Sequence, residues 1–196
     1  MNKFLLVLAL FVTAAIAQAD PTGVDPGADA IPANILQSLK NQQYKQVEEE
    51  LKNLVREQPE NYRLSLELGK ALVKTGYYDE GLTYLEHAKS LNEKFQRNDA
   101  SIYNAVGWAR FLAGDSAAAK TEIQKTLQSQ NLSKSTRETA LVNMGLIYTY
   151  EKDLDAAQKY FSDAATNYDN PLARKNLRVI DAMKEDAKRQ APVTQP

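Results

Sequence analysis

The side chains able to do acid–base or nucleophilic work are few and poorly spaced for it. His87 is the only histidine, and there is no cysteine. A serine nucleophile needs a base within reach, and thiol catalysis or thiolate metal binding needs cysteines. Gly114-Asp115-Ser116 superficially resembles an esterase turn, but no strand–turn–helix Gly-x-Ser-x-Gly surrounds it. Glycine ending one helix and Asp or Ser starting the next accounts for the triplet. His87 lies one residue before Ala88 on a helical pattern, at the surface. Glu48-Glu49-Glu50, with Glu57 and Glu60, interleaves with Lys45, Lys52 and Arg56. That pattern reads as a solvated, ion-paired helix face rather than a metal site. The sequence contains no phosphate loop, His-Glu-x-x-His or calcium-loop pattern. We read no catalytic residue, no metal site and no cofactor, and expect a protein that is not an enzyme.

The chain has 196 residues and a net charge of −1. Nothing in that balance favours nucleic acid or an anionic membrane surface, which call for a basic patch. The first nineteen residues have the pattern of a signal peptide. Lys3 supplies the positive start, Phe4–Ala17 is an uncharged apolar run, and Ala15-Ile16-Ala17 and Ala17-Gln18-Ala19 both fit a small-x-small cleavage site. Fourteen helical residues reach roughly 21 Å, short of a hydrocarbon core of about 30 Å. The expectation is export to a bacterial periplasm without membrane insertion after cleavage; secretion and an uncleaved N-terminal anchor are the alternatives. Without Lys3 the net charge becomes −2. Residues 20–33, DPTGVDPGADAIPA, read as a flexible leader, and APVTQP at 191–196 as a disordered tail. Without cysteines no disulfide is available, so an apolar core must hold the fold.

Between these segments the pattern is helical and repeats. Tyr44, Tyr78, Ser116 and Leu154 fall in register, as do Val47, Gly81, Ala119 and Ala157, then Leu51, Leu85, Ile123 and Phe161, at spacings of 34, 38 and 38. Gly69, Gly107 and Gly145 recur every 38 residues, and the turn glycines Gly76 and Gly114 follow seven later, with Lys152 in the third place. A helix-interior glycine costs about 1 kcal/mol relative to alanine. Three at one register imply close helix approach, with Leu85, Ile123 and Phe161 filling the space between units. Asp79, Asp115 and Asp153 fall at second-helix starts, where a carboxylate caps free N–H groups.

These recurrences resemble the tetratricopeptide repeat family. Unit two shows Leu68, Gly69, Gly76, Tyr78 and Ala88. Unit three shows Tyr103, Val106, Gly107, Gly114, Ala119 and Ile123, and unit four Met144, Gly145, Tyr148, Leu154, Ala157, Phe161 and Ala164. Unit one is degenerate, with Asn34-Ile35 where Leu-Gly is expected. The resemblance implies an all-α, right-handed α-solenoid of stacked helix pairs over residues 34–190. Its units are about 34–60, 61–98, 99–135 and 136–170, with a capping helix at 171–190. The spacing of 38 departs from the family's 34 and places four extra residues between units, near 92–99 and 128–135, in a longer second helix or a longer loop. On the capping helix, Leu172, Leu177, Ile180 and Met183 form one apolar stripe.

The resemblance further implies a groove lined by first helices. Carrying the family's groove positions over gives Arg63, Leu66, Lys70, Val73 and Lys74, then Ser101, Asn104, Trp108, Phe111 and Leu112, then Thr139, Val142, Leu146, Thr149 and Tyr150. Trp108 and Phe111 are each open to two readings: groove-centre aromatics, which are common binding hot spots, or ordinary core. Arg63, Lys70 and Lys74 make one end basic, either to hold acidic side chains or a C-terminal carboxylate, or as a solvated face. The chaperone-tail clamp of the family is not reproduced, since Leu66, Asn104 and Trp108 stand at its places. The expected function is a scaffold holding a peptide or helix of a partner protein, in assembly of an envelope, pilus or secretion complex. The alternatives are a self-associating structural protein and an enzyme or small-ligand carrier.

Overall fold

The computed structural model describes residues 30–190. The expected signal peptide, most of the expected leader and the tail at 191–196 lie outside the described residues. Among the described residues there are nine helices and no strand: α1 (Ala33–Lys40), α2 (Tyr44–Glu57), α3 (Tyr62–Lys74), α4 (Tyr78–Lys94), α5 (Ser101–Leu112), α6 (Ser116–Gln128), α7 (Lys134–Tyr150), α8 (Leu154–Tyr168) and α9 (Pro171–Gln190). Consecutive helices pack as antecedent and follower throughout, the tightest pairs being α3 with α4, α5 with α6 and α7 with α8, and α9 closes on α8. The architecture is an all-α solenoid of helix pairs.

The repeating glycines set the pair distance. A Cβ built on Gly69 would stand 2.7 Å from Leu85 Cγ, on Gly107 2.6 Å from Ile123 Cγ1, and on Gly145 2.6 Å from Phe161 Cε1. The large residues of the second helices therefore occupy the room that a first-helix side chain would need. Leu85, Ile123 and Phe161 are almost fully buried there. At the turns, Gly76 and Gly114 have φ of +94° and +95°, conformations glycine adopts without strain. Asp115 and Asp153 cap their helices, each accepting a 3.0 Å hydrogen bond from the backbone N–H of Ala118 or Ala156. Asp79 does not: the N-cap of α4 is Tyr77, and Asp79 lies inside the first turn.

The extra residues between units go to two different places. α4 is one turn longer than α6, at 17 against 13 residues. After α6 the insertion instead lengthens the start of the next first helix, so α7 has 17 residues where α5 has 12. Ile35 of the degenerate first unit is fully buried with Val47, Leu51 and Leu64, and Ile31 packs beside it. The end of the expected leader thus belongs to the folded body.

The capping helix departs from its expected stripe. Ala173 and Ile180 are buried against α8, with Leu177 half-buried beside them. Leu172, Val179 and Met183 are exposed. The expected stripe of Leu172, Leu177, Ile180 and Met183 is therefore split between two faces. Lys184 continues the inner face by reaching Asp155 at 2.5 Å and Gln158 at 2.6 Å. Arg174, Arg178, Asp181 and Glu185 are exposed, and such a polar outer face ends a solenoid in water.

Candidate functional site

The first helices leave a depression of about 440 Å³ on their common wall. α3 contributes Lys70 and Lys74; α5 contributes Asn104, Ala105 and Trp108; α7 contributes Thr139, Val142, Asn143 and Leu146; Asn170 and Leu172 close it at the start of α9. Depressions of similar volume lie at the loop edge, between Asn92, Glu93, Tyr103 and Lys125, and at the turn edge, around Gly76, Tyr77 and Tyr78. Volume does not choose between them. Chemistry does, because the first-helix depression alone among these three combines an apolar floor with cations and amides at its border.

The floor is held rigidly. Trp108 packs against the cluster of Leu66, Val106 and Ala109 while still lining the depression. It is both core and groove, so the two readings of this residue do not compete. From Trp108 an aromatic row leads toward the turn edge. Its ring lies 5.3 Å from that of Phe111, tilted by 40°, and Phe111 meets Tyr150 edge-on at 5.4 Å. Tyr150 is 74% exposed. Edge and tilted geometries suit the ring quadrupoles.

Amides join the elements beneath the groove. Asn143 Nδ2 donates to Asn104 Oδ1 at 3.0 Å, linking α7 to α5. Asn170 accepts from the backbone N–H of Ala173 at 2.7 Å, capping α9, and its amide donates to Glu138. The electrostatics are lopsided. Lys70 pairs with Glu67 at 2.8 Å. Arg63 and Lys74 are exposed and have no acidic partner among the described residues.

Seven of the sequence-derived groove residues come together here: Lys70, Lys74, Asn104, Trp108, Thr139, Val142 and Leu146. Phe111 and Tyr150 extend the site rather than line the depression. Thr149 is engaged internally, its hydroxyl donating to the Gly145 carbonyl at 2.8 Å. Two residues are corrected. Leu66 and Val73 are 4% and 7% exposed and pack with Leu85, Ile102 and Val106 between α3, α4 and α5. Val73 fills the room left by Gly81, where a Cβ would stand 2.8 Å from Val73 Cγ2. Asn143, Asn170 and Leu172 were not foreseen. The available signal was an asparagine inside the apolar run Leu141–Met144, and a leucine beside the cap of the last helix.

The other reactive side chains have structural occupations. His87 is exposed, its Nδ1 3.2 Å from the Ser65 hydroxyl. Lys52 joins Glu48 at 3.1 Å and Glu80 at 3.1 Å, and the Glu48 hydrogen bond, seconded by Glu80, raises its pKa above the usual lysine range. Among the described residues no group of three or more His, Asp or Glu is placed to hold a metal ion, and no helix is long and apolar enough to cross a membrane.

The family model for the tetratricopeptide repeat matches residues 62–95 and 138–169, the second unit and most of the fourth. Seven chains of solved structures match the fold. One, described as a crystal structure of MamA, superposes with a TM-score of 0.58 at 18% identity, covering 83% of this chain and 99% of that one. At that identity the likeness shows the fold alone. No curated protein matches the chain.

Proposed function

We propose that this chain, which carries tetratricopeptide repeats and so has the build of a protein–protein interaction scaffold, holds a segment of a partner protein in the groove of α3, α5, α7 and α9. The observation that carries the reading is the combination in one depression of an apolar floor (Trp108, Val142, Leu146), the lysines Lys70 and Lys74 at one end and amides along it. Apolar pockets with a few convergent polar groups are the usual form of a recognition site. The exported, periplasmic setting rests on Lys3 and the apolar run Phe4–Ala17; a role in assembling an envelope, pilus or secretion complex follows from that setting by analogy. Mass spectrometry of the N-terminus checks export, which predicts a start near Asp20.

A photo-crosslinking side chain tests the groove directly. Placed at Thr139, exposed and lining the groove, it is expected to capture a partner in the native compartment. Placed at Thr121, exposed on α6, it is expected to capture none. Equal capture at both sites, or capture at Thr121 alone, overturns the groove reading. Capture of a second copy of the chain at Thr139 would make the protein self-associating.

A further inference from the structure

We infer that the segment taken by the groove is chemically directional, with carboxylates over α3 and apolar side chains over α5, α7 and α9. This deepens the groove reading and rests on it. Neighbouring first helices touch, α3 with α5, α5 with α7, and α7 with α9. Their groove residues therefore form one continuous track rather than separate pockets, and the chemistry changes along it.

The α3 end is cationic and has no apolar seat. Leu66 and Val73 are buried beneath it, which leaves Lys70, Lys74 and, further along the helix, Arg63 as what a ligand meets. The nearby acids offset only Lys70. Glu67 is taken by Lys70, and Glu138, at the far end, is held by the Asn170 amide. Lys74 and Arg63 remain uncompensated among the described residues.

The rest of the track has an apolar floor bordered by the uncharged polar side chains of Asn104, Thr139, Asn143 and Asn170. Trp108, Val142 and Leu146 form the floor, and Leu172 follows, 49% exposed on the first turn of α9. Val179 and Met183, exposed as well, come seven and eleven residues after Leu172. At 100° per residue they lie within about 20° of it around the helix, so the apolar line continues along α9 beyond the depression. A helix whose buried face is already supplied by Ala173 and Ile180 has no internal use for this second line.

Length and charge define the occupant. Crossing four helices spaced by about 8–10 Å spans roughly 24–30 Å, which a helix covers in about 16–20 residues at 1.5 Å each. The fit is an amphipathic segment of a partner protein, acidic at one end and apolar along one face. Cations at one end of a track with an apolar floor favour a single orientation and speed encounter, an effect that salt weakens.

The test uses the full chain and labelled synthetic peptides of about 18 residues, read by fluorescence anisotropy. One peptide carries Asp and Glu at one end and Leu and Phe at helical spacing along the rest. A second replaces the acids by lysine, and a third replaces the apolar residues by serine. The acidic, apolar peptide is expected to bind about tenfold tighter than the lysine version at low salt, and the serine version to bind weakest. Lys70→Glu with Lys74→Glu is expected to invert the ranking of the first two. Leu172→Asp, at an exposed position that folding does not need, is expected to weaken both.

Equal binding of the acidic and lysine peptides, or a ranking that survives the double charge reversal, overturns the directional inference. The groove reading then stands if Leu172→Asp and Trp108→Ala still reduce binding in variants whose helical circular dichroism is intact. Binding untouched by either substitution, or no binding of any peptide, overturns both readings.

Discussion

Asn143 donates from Nδ2 to Asn104 Oδ1 at 3.0 Å, joining two first helices 39 residues apart in sequence. The bond connects the third unit to the fourth directly under the groove. Asn143 is 9% exposed and Asn104 partly so. A buried amide left without its partner costs about 1–3 kcal/mol. Asn104→Ala is therefore expected to destabilise by about 1–2 kcal/mol in urea unfolding. A double-mutant cycle with Asn143→Ala should return a coupling of about 1 kcal/mol. A coupling near zero would mean the two amides are satisfied independently.

Gly107→Ala separates propensity from packing by its sign. In an open helix the change stabilises by about 1 kcal/mol. Here the new methyl would stand 2.6 Å from Ile123 Cγ1 and 2.8 Å from the backbone carbonyl of Ala119. Ile123 has rotamers to move through, but the carbonyl belongs to a helix, so α5 and α6 must separate. The expected result is a loss of about 1–3 kcal/mol, seen as a lower urea midpoint. Gly107→Ala with Ile123→Ala should recover little, because the carbonyl contact remains. A stabilised single variant would refute the close-approach account of all three repeated glycines.

The stability of the unit-two to unit-three seam should depend on pH through Glu86 and Lys89. Lys89 Nζ lies 2.7 Å from Glu86 Oε2 and 3.2 Å from Glu122 Oε1, and Arg110 donates to Glu86 Oε1 at 2.5 Å. Asp115 stands 4.0 Å from Arg110, and Lys125 3.2 Å from Glu122. Burial pushes the Glu86 carboxyl up, but the hydrogen bonds from Lys89 and Arg110 outweigh it and hold the carboxyl below its ordinary value of 4.5. Burial likewise pushes Lys89 down, and the bonds to Glu86 and Glu122 outweigh that, holding it above 10.5. The Glu86 contribution is thus fully present above pH 4.5 and lost as pH falls through the lower folded value. The Lys89 contribution is present below pH 10.5 and lost as pH rises through its higher folded value. Urea unfolding of Glu86→Gln should show a shallower loss below pH 4.5 than the wild type; equal slopes would place the acid sensitivity elsewhere.

The repeat pattern made the helix pairs legible because each pair solves the same packing problem. Gly69, Gly107 and Gly145 mark close approach wherever a large residue follows at the matching second-helix position, and that pairing is visible in one dimension. The groove was less legible. Lys70, Asn104, Trp108 and Leu146 were placed by register. Leu66 and Val73 share that register but turn into the seam, where Val73 fills the room left by Gly81 and Leu66 joins the same buried cluster. Leu172 could not be assigned, because the face a terminal helix presents depends on what packs behind it. Ala173 and Ile180 took the inner face, and Leu172, Val179 and Met183 were left outside. The four extra residues per unit had no sequence signal to choose between lengthening α4 and lengthening α7.

Tyr150→Ala should separate recognition from stability. The residue is 74% exposed, and its side chain meets the fold through the edge contact with Phe111 at 5.4 Å. An aromatic pair contributes about 0.5–1.5 kcal/mol when well enclosed, and exposure puts this one at the lower end. The variant should therefore unfold within about 0.5 kcal/mol of the wild type. Trp108→Ala removes a half-buried ring packed against the buried cluster between α3, α4 and α5, and should cost about 2–4 kcal/mol. If the aromatic row from Trp108 to Tyr150 continues the site, Tyr150→Ala weakens the acidic, apolar peptide severalfold while leaving the urea midpoint in place. Trp108→Ala moves both quantities. Unchanged peptide affinity in Tyr150→Ala would end the site at Trp108 and give Tyr150 no part in recognition. A large drop in stability would instead show that the Phe111 contact holds the end of α7, which its exposure argues against.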